Sequence, residues 1–298
     1  MWSFKERFEI PLSCQGKIGT KGFETYTVLA KRQLSPSVYA LRVEAQRVAR
    51  EAQPGQFVIL RVNEVGERFP LTLCDWSTGE GWINLVFQVV GVSTYRLSRL
   101  EEGEAIQDVV GPLGIPSEIK RYGKVLCVGG GVGIAAIYPI CRALTEMGNQ
   151  VESIIGARSA DLLILEEEML SVSDRLVVTT DDGSKGTKGL VTWAMEKALK
   201  EGGYSLVLAI GPAMMMKFAS AVSRPFGVPT RVSLNSIMLD GTGMCGTCRV
   251  EVGGLIRFTC VDGPEFDGHA VDWDLLLQRL SQYKKEESIA LEEYKKRL

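Results

Sequence analysis

The stretch KVLCVGGGVGIAAIYPICRALTEMG, residues 124–148, decides the class of fold. Its opening KVLCVGG is a short apolar run of the kind that forms a strand buried on both faces. It enters a run of glycines and continues into IAAIYPICRALTEMG, which reads as a helix. Toward the C-terminus the alternation repeats. Strand QVESIIGAR (150–158) precedes helical DLLILEEEML (161–170), strand RLVVTT (175–180) precedes helical GLVTWAMEKALKEGG (189–203), and SLVLAI (205–210) is a further strand. Strands alternating with helices specify a doubly wound parallel sheet, here over 119–228.

Before Gly123 the texture differs. TYTVLAKRQL, SVYALRVEA, QFVILRV and WINLVFQVV are β-rich runs, several of them alternating, separated by Gly, Pro and polar turns. Short strands at this spacing predict an antiparallel barrel or sandwich over 25–118. Residues 229–270 are rich in glycine and cysteine and read as a small C-terminal module, and 271–298 as a charged amphipathic helix. That helix is either a docking element or a cover for the chain's own core. Residues 1–24 form an N-terminal extension with little signal, and Cys14 within it reads as an ordinary thiol.

Composition narrows the function classes. The 298 residues are 45% hydrophobic and 23% charged with a net charge of −2, a soluble globular balance with room for about two domains. No basic excess points to nucleic acid. Val125–Ile140, the longest apolar stretch, is broken by four glycines and does not suit a bilayer, so no membrane partner is expected. Lys5, Glu6 and Arg7 follow Met1 with no apolar run, unlike a signal peptide. Seven cysteines, three of them bunched near one end, favour metal ligation in a reducing compartment, so the expected location is cytoplasmic.

Three motifs carry chemistry. CVGGGVGIAAI sits at the strand-to-helix turn, where glycines admit a phosphate to the helix N-terminus. Gly129, Gly131 and Gly133 alternate, but Ile134 stands where the dinucleotide fingerprint wants Gly or Ala, and a plain tight turn is the competing reading. In AIGPAMMMK, Gly211 and Pro212 close another strand where a ligand crossing the sheet would pass, and the methionines read as packing. ERFPLTLCD (67–75) offers an arginine, a Pro turn and a hydroxyl, a set that suits a flavin diphosphate. QVVGVSTYRL adds Gly91, Ser93 and Thr94 as donors to the same group, though each alone also reads as a loop.

The third motif is LDGTGMCGTCRV (239–250) followed by Cys260. A plant-type [2Fe–2S] loop has the spacing C-x4-C-x2-C and a distant fourth cysteine. Cys245, Cys248 and Cys260 match the last three ligands, and Asp240 holds the place of the first. Three thiolates and a carboxylate also suit zinc, although zinc ribbons pair their C-x2-C units and this spacing is asymmetric. Glycines 241, 243 and 246 let the loop turn its amides toward anionic sulfur.

Taken in order, ERFPLT, GGGVGIAA, GARSADLLILEEEM, TTDDGSKGTKG, GPAMMMK, LDGTGMCGTCRV with Cys260, and EFDGHAVDWDLL resemble the ferredoxin–NADP reductase superfamily. Within it they resemble the branch of electron-transfer subunits that serve dihydroorotate dehydrogenases, sulfide dehydrogenases and electron-bifurcating NADH/ferredoxin:NADP transhydrogenases. The resemblance runs from about residue 25 to 285. It implies an FAD-binding antiparallel β-barrel, a nucleotide-binding α/β domain and a small [2Fe–2S] module whose cluster takes Asp240, Cys245, Cys248 and Cys260. Arg68, Pro70, Leu71 and Thr72 would hold FAD, with Gly91, Ser93 and Thr94 on a second flavin segment. The superfamily's usual R-x-Y-S places its hydroxyl three residues after the arginine, whereas Thr72 comes four after Arg68. Gly130, Gly131, Val132 and Gly133 would face the dinucleotide, lined also by Asp181, Asp182, Gly211 and Pro212. Arg158 and Ser159 lie where an adenosine ribose would sit. As residue types they favour the 2′-phosphate of NADP(H), while the resemblance implies NAD(H).

The resemblance thus implies an oxidoreductase subunit that passes electrons between NAD(H) and a larger iron–sulfur flavoprotein, with ferredoxin reached through that complex. No acid–base pair is required, and lone His269 is open to a structural or a functional role. A free-standing diaphorase and a non-catalytic electron carrier are the alternatives of other classes.

Overall fold

The computed structural model describes residues 25–297; the N-terminal extension with Cys14 lies outside the described residues. The first sheet is made by β1 (Tyr26–Ser35), β2 (Val38–Glu44), β3 (Phe57–Arg61), β4 (Arg68–Ser77), β5 (Trp82–Gln88), β6 (Ala105–Ile106) and β7 (Asp108–Leu113). The spatial order is β6-β1-β2-β5-β4-β3-β7, with antiparallel neighbours. Only Gln107 separates the two edge strands, and its amide donates to the Val62 carbonyl at 3.2 Å. One continuous stretch of chain therefore joins both edges, and the barrel is nearly closed, which leaves few strand edges unpaired. Alternation puts Val58, Leu60, Leu73, Leu85 and Phe87 inside. Helices α1 (Gln46–Glu51) and α2 (Val92–Arg99) follow β2 and β5.

The second sheet holds β8 (Lys124–Gly130), β9 (Gln150–Ala157), β10 (Arg175–Thr180), β11 (Thr187–Lys188), β12 (Tyr204–Ile210) and β13 (Thr230–Ser233). Its order β11-β10-β9-β8-β12-β13 is parallel throughout and reverses direction at β8. Such a reversal opens a crevice at the strand C-termini. Along β8, Val125 and Cys127 face the layer of α3 (Gly133–Glu146) and α4 (Glu166–Ser171). Leu126 and Val128 face α5 (Val191–Glu201) and α6 (Ala213–Ser223). Burial on both faces explains why these strands read as unbroken apolar runs.

Helix α3 also joins the two sheets, because the barrel's outer residues Ala30, Val38, Ala40, Cys74 and Val86 share its core. At this joint Arg142 Nη1 donates to Asp75 Oδ1 at 2.7 Å, and Asp75 is only 1% exposed. The C-terminal part contains the hairpin β14 (Arg249–Val252) and β15 (Leu255–Phe258), then α7 (Thr259–Asp262), β16 (Glu265–Asp267), α8 (Trp273–Ser281) and α9 (Lys284–Lys296). β16 pairs antiparallel with β13, so this part is continuous with the parallel sheet. His269 Nε2 lies 2.9 Å from Ser223 Oγ, and Arg224 donates to the His269 carbonyl at 2.6 Å. The histidine therefore ties the module to α6. Among the described residues no helix is long and apolar enough to cross a membrane.

Candidate functional site

The cysteine loop lies against the barrel. Cys248 and Cys260 are 1% and 2% exposed, their sulfurs are 3.2 Å apart, and they pack with Met238, Phe57 and Ile59. Burial and the hydrogen bond with Cys248 push the Cys260 thiol up to about 12. Gly241 has φ +75°, and a Cβ there would stand 2.6 Å from Leu113 Cδ1, so only glycine lets the loop press this closely on β7. Cys245 is exposed at the loop tip. Asp240 Oδ1 accepts from the Thr242 amide at 2.8 Å and Oδ2 from the Cys245 amide at 2.9 Å. These backbone donors hold the Asp240 carboxyl below the usual carboxylate range.

Among the described residues, no three His, Cys, Asp or Glu side chains converge on one point. The four ligand candidates instead come as two pairs, Cys248 with Cys260 and Asp240 with Cys245. Two sulfurs on one tetrahedral metal, each at about 2.3 Å, would be roughly 3.8 Å apart. The buried pair is within easy adjustment of that separation. A single zinc ion would need all four groups together, whereas a two-iron cluster takes one pair per metal. The residues therefore fit a binuclear cluster better than zinc.

On the barrel side, Arg68 opens β4 and is exposed, while Pro70, Leu71 and Thr72 are half-buried along it. The antiparallel register Leu73↔Leu85 carries the end of β5 toward the start of β4. This brings the Gly91 turn, with half-buried Ser93 and Thr94 in the first turn of α2, to the Arg68 end. Thr94 Oγ1 accepts from the Val90 and Gly91 amides at 3.0 and 3.1 Å and donates to the Gly91 carbonyl. Its hydroxyl is thus committed to bracing its own turn.

β3 joins the two sites. Phe57 pairs with Thr72 and Ile59 with Pro70, while the outward side chains of Phe57 and Ile59 pack with Cys248 and Cys260. One strand spacing, about 4.8 Å, thus separates β3, against which the thiols pack, from the strand carrying Pro70 and Thr72. No local signal marks this junction, because Phe57 and Ile59 look like ordinary alternating core residues.

In the nucleotide sheet, Ile210 pairs with Gly129, so the turns after β8 and β12 lie side by side at the switch point. Gly130, Gly131 (φ +54°), Val132 and Gly133 form one wall of the crevice, and Gly211 and Pro212 the other. Met216 is core, Met214 is exposed, and the Met215 thioether lies against Gly130 and Gly211. Arg158 and Ser159 follow β9, and Asp181 and Asp182 follow β10. The two segments are laced by Asp181 N to Ala157 O and Asp182 N to Arg158 O, both 3.1 Å. Ser159 Oγ donates to Asp161 Oδ1 at 2.5 Å, and Ser184 Oγ to Asp182 Oδ1 at 2.6 Å. The hydroxyls of this corner therefore already serve carboxylates.

A family profile for the iron–sulfur cluster binding domain of dihydroorotate dehydrogenase B matches residues 235–272, and one for an oxidoreductase NAD-binding domain matches 127–221. The chain is 52% identical over 269 residues to the dihydroorotate dehydrogenase B electron transfer subunit homolog of Thermotoga maritima, covering 90% of this chain and 95% of that protein. It is 32% identical to the dihydroorotate dehydrogenase B electron transfer subunit of Desulforamulus reducens, covering 83% and 97%. A solved chain of the NADH-dependent reduced ferredoxin-NADP oxidoreductase, described in the context of flavin-based electron bifurcation, superposes with a TM-score of 0.87 at 51% identity, covering 92% of this chain and 99% of that one. At these identities and coverages, the chain belongs to the family of dihydroorotate dehydrogenase B-type electron-transfer subunits within the ferredoxin–NADP reductase superfamily.

Proposed function

We propose that this chain passes electrons between NAD(H) and a larger iron–sulfur flavoprotein, as the small subunit of an electron-bifurcating NADH/ferredoxin:NADP transhydrogenase. The observation that carries it is the sharing of β3 between the Pro70–Thr72 strand and the Cys248–Cys260 wall. Arg68 and the first turn of α2 hold the FAD diphosphate, with the fixed charge and backbone amides an anion requires. Pro70, Leu71 and Thr72 line the isoalloxazine. Cys248 with Cys260 and Asp240 with Cys245 each take one iron of the cluster. Bound there, FAD supplies the exchange between the electron pair of a hydride and the single electrons a [2Fe–2S] cluster carries. The division into 25–118, 119–228 and 229–270 follows these roles, and β13, at the start of the last segment, sews the last two together by pairing with β12 on one side and β16 on the other.

NAD(H) is the proposed nucleotide. The carboxylates of Asp161 and Asp182 take the hydroxyl donors beside Arg158, and acids at this corner accept a ribose hydroxyl and repel a 2′-phosphate. Lys185, nearby in sequence, is paired to Glu166 at 2.5 Å. The partner surface is the cluster face, where Met244 (89% exposed), Leu239, Val261, Leu255 and Ile256 stand outward. Such apolar exposure favours a permanent partner. The reducing setting that thiolate ligands need makes the cytoplasm the proposed location.

The test is anaerobic purification from the native source. A stoichiometric larger flavoprotein with its own iron–sulfur clusters and NADP site is expected. A dihydroorotate dehydrogenase catalytic subunit in its place would move the assignment to a dihydroorotate dehydrogenase complex. FAD reduction by NADH at rates insensitive to added NADPH is the second expected result, and no reduction by NADH would refute the nucleotide assignment.

A further inference from the structure

Helix α9 buries none of its residues, and Ile289 on it is 48% exposed, so it does not cover a core. An isolated helix of this length is marginal in water, so its few contacts decide where it lies. Those contacts converge on the first two turns of α2. The Tyr294 ring meets Tyr95 edge-on with centroids 6.1 Å apart, the Arg96 guanidinium lies 4.7 Å over Tyr294, and Lys295 Nζ lies 5.3 Å from the Tyr95 ring. Arg96 Nη1 reaches on to the carbonyl of Val65, three residues before Arg68, through a long hydrogen bond of 3.4 Å, and Arg96 Nε is buried with no hydrogen-bond partner. One weak hydrogen bond does not fix a guanidinium, so the stacked Tyr294 ring does much of the holding.

We propose that α9 is a strap for the flavin dinucleotide, with Tyr294 as a positioning residue. Through Arg96, in the second turn of α2, it ties the start of that helix to the loop that delivers Arg68. These are the two arms proposed to hold the FAD diphosphate, and the inference rests on that assignment. Lys295 adds a positive charge beside the same turn, which favours an anionic group there. Loosening the strap lets the two arms separate and speeds release of the dinucleotide, while the cluster loop on the other side of β3 is untouched.

The experiment uses the full chain with its cluster, stripped of flavin and titrated with FAD by fluorescence quenching, with release followed as the return of free-FAD fluorescence after dilution. Tyr294→Ala is expected to raise the FAD Kd about tenfold (about 1.4 kcal/mol) through faster release, with unchanged cluster absorbance. Tyr294→Phe, which keeps the ring, is expected to bind as the natural protein does, and a stop codon at position 284 to reproduce the loss. Arg68→Ala separates the two levels. If it weakens FAD while Tyr294→Ala stays within twofold, the strap is overturned and the flavin site stands. If Arg68→Ala leaves FAD affinity unchanged, the flavin assignment fails and the strap with it. Loss of the partner subunit with unchanged FAD affinity in Tyr294→Ala would make α9 a docking element and overturn the strap.

Discussion

Gly133→Ala sets two effects of opposite sign against each other. Gly133 is the first residue of α3, where Ala is favoured over Gly by up to about 1 kcal/mol on helix propensity alone. A Cβ at this position, however, would lie 2.7 Å from Gly211 Cα and 2.7 Å from the carbonyl carbon of Ile210. Carbon atoms settle at about 3.5–4.0 Å, so α3 and the end of β12 must part by roughly 0.8 Å. Both obstacles are backbone in a core element, and no side chain can swing away. Overpacking of this kind costs about 1–3 kcal/mol and exceeds the propensity gain. The expected net loss is about 1–2 kcal/mol, seen as a fall of a few degrees in the melting temperature. The same displacement widens the crevice, so the affinity for NAD+, which cannot pass a hydride to oxidised FAD, is expected to drop about tenfold or more when read by calorimetry on the flavin-loaded protein. Gly131→Ala is the control. That residue has φ +54° but open space around its Cβ, so it carries backbone strain without the clash. A Gly133→Ala protein that melts higher and binds NAD+ normally would refute the close-approach argument.

Asp240→Cys should still assemble a cluster but change its EPR signal and reduction potential; an unaltered signal and potential would leave Asp240 only the bracing role shown by its bonds to the Thr242 and Cys245 amides. Arg142→Met strands the buried Asp75 carboxylate and should cost about 2–3 kcal/mol, the low side for breaking a buried pair because Arg142 keeps 24% of its side chain in water. Pairing it with Asp75→Asn should recover much of that loss, and a cost below about 0.5 kcal/mol in denaturation would show the joint is not held by charge. Burial raises the Glu265 carboxyl above its ordinary value despite the Ser117 hydrogen bond and Arg231, so the folded chain keeps a proton that the unfolded chain releases. Stability from this group is then full below the ordinary carboxylate value and declines as pH rises through the window up to the raised one. Melting temperatures of Glu265→Gln across that window should lack this decline, and parallel curves for both proteins would count against it.

Much of the architecture is legible in the sequence because period and punctuation report local environment. The unbroken apolar runs at 124–130 and 204–210 signal strands covered on both faces, and the glycines after them signal the turns of a nucleotide crevice. The spacing of Cys245 and Cys248, with Asp240 before them, carries the cluster reading. Arg158 and Ser159 favour a 2′-phosphate as residue types, and sequence cannot show that Asp161 and Asp182 take the hydroxyls at that corner, the contacts on which the proposal of NAD(H) rests. Which segments are strands, helices and ligand-bearing loops can be read along the chain, since these depend on neighbours a few residues apart. Three-dimensional packing was needed to place β3 between the Pro70–Thr72 strand and the paired thiols, to close the edge of the parallel sheet with β16, and to return α9 to α2. Those contacts join residues far apart in the chain, and they are fixed by barrel closure and core packing, which leave no periodic mark on the sequence.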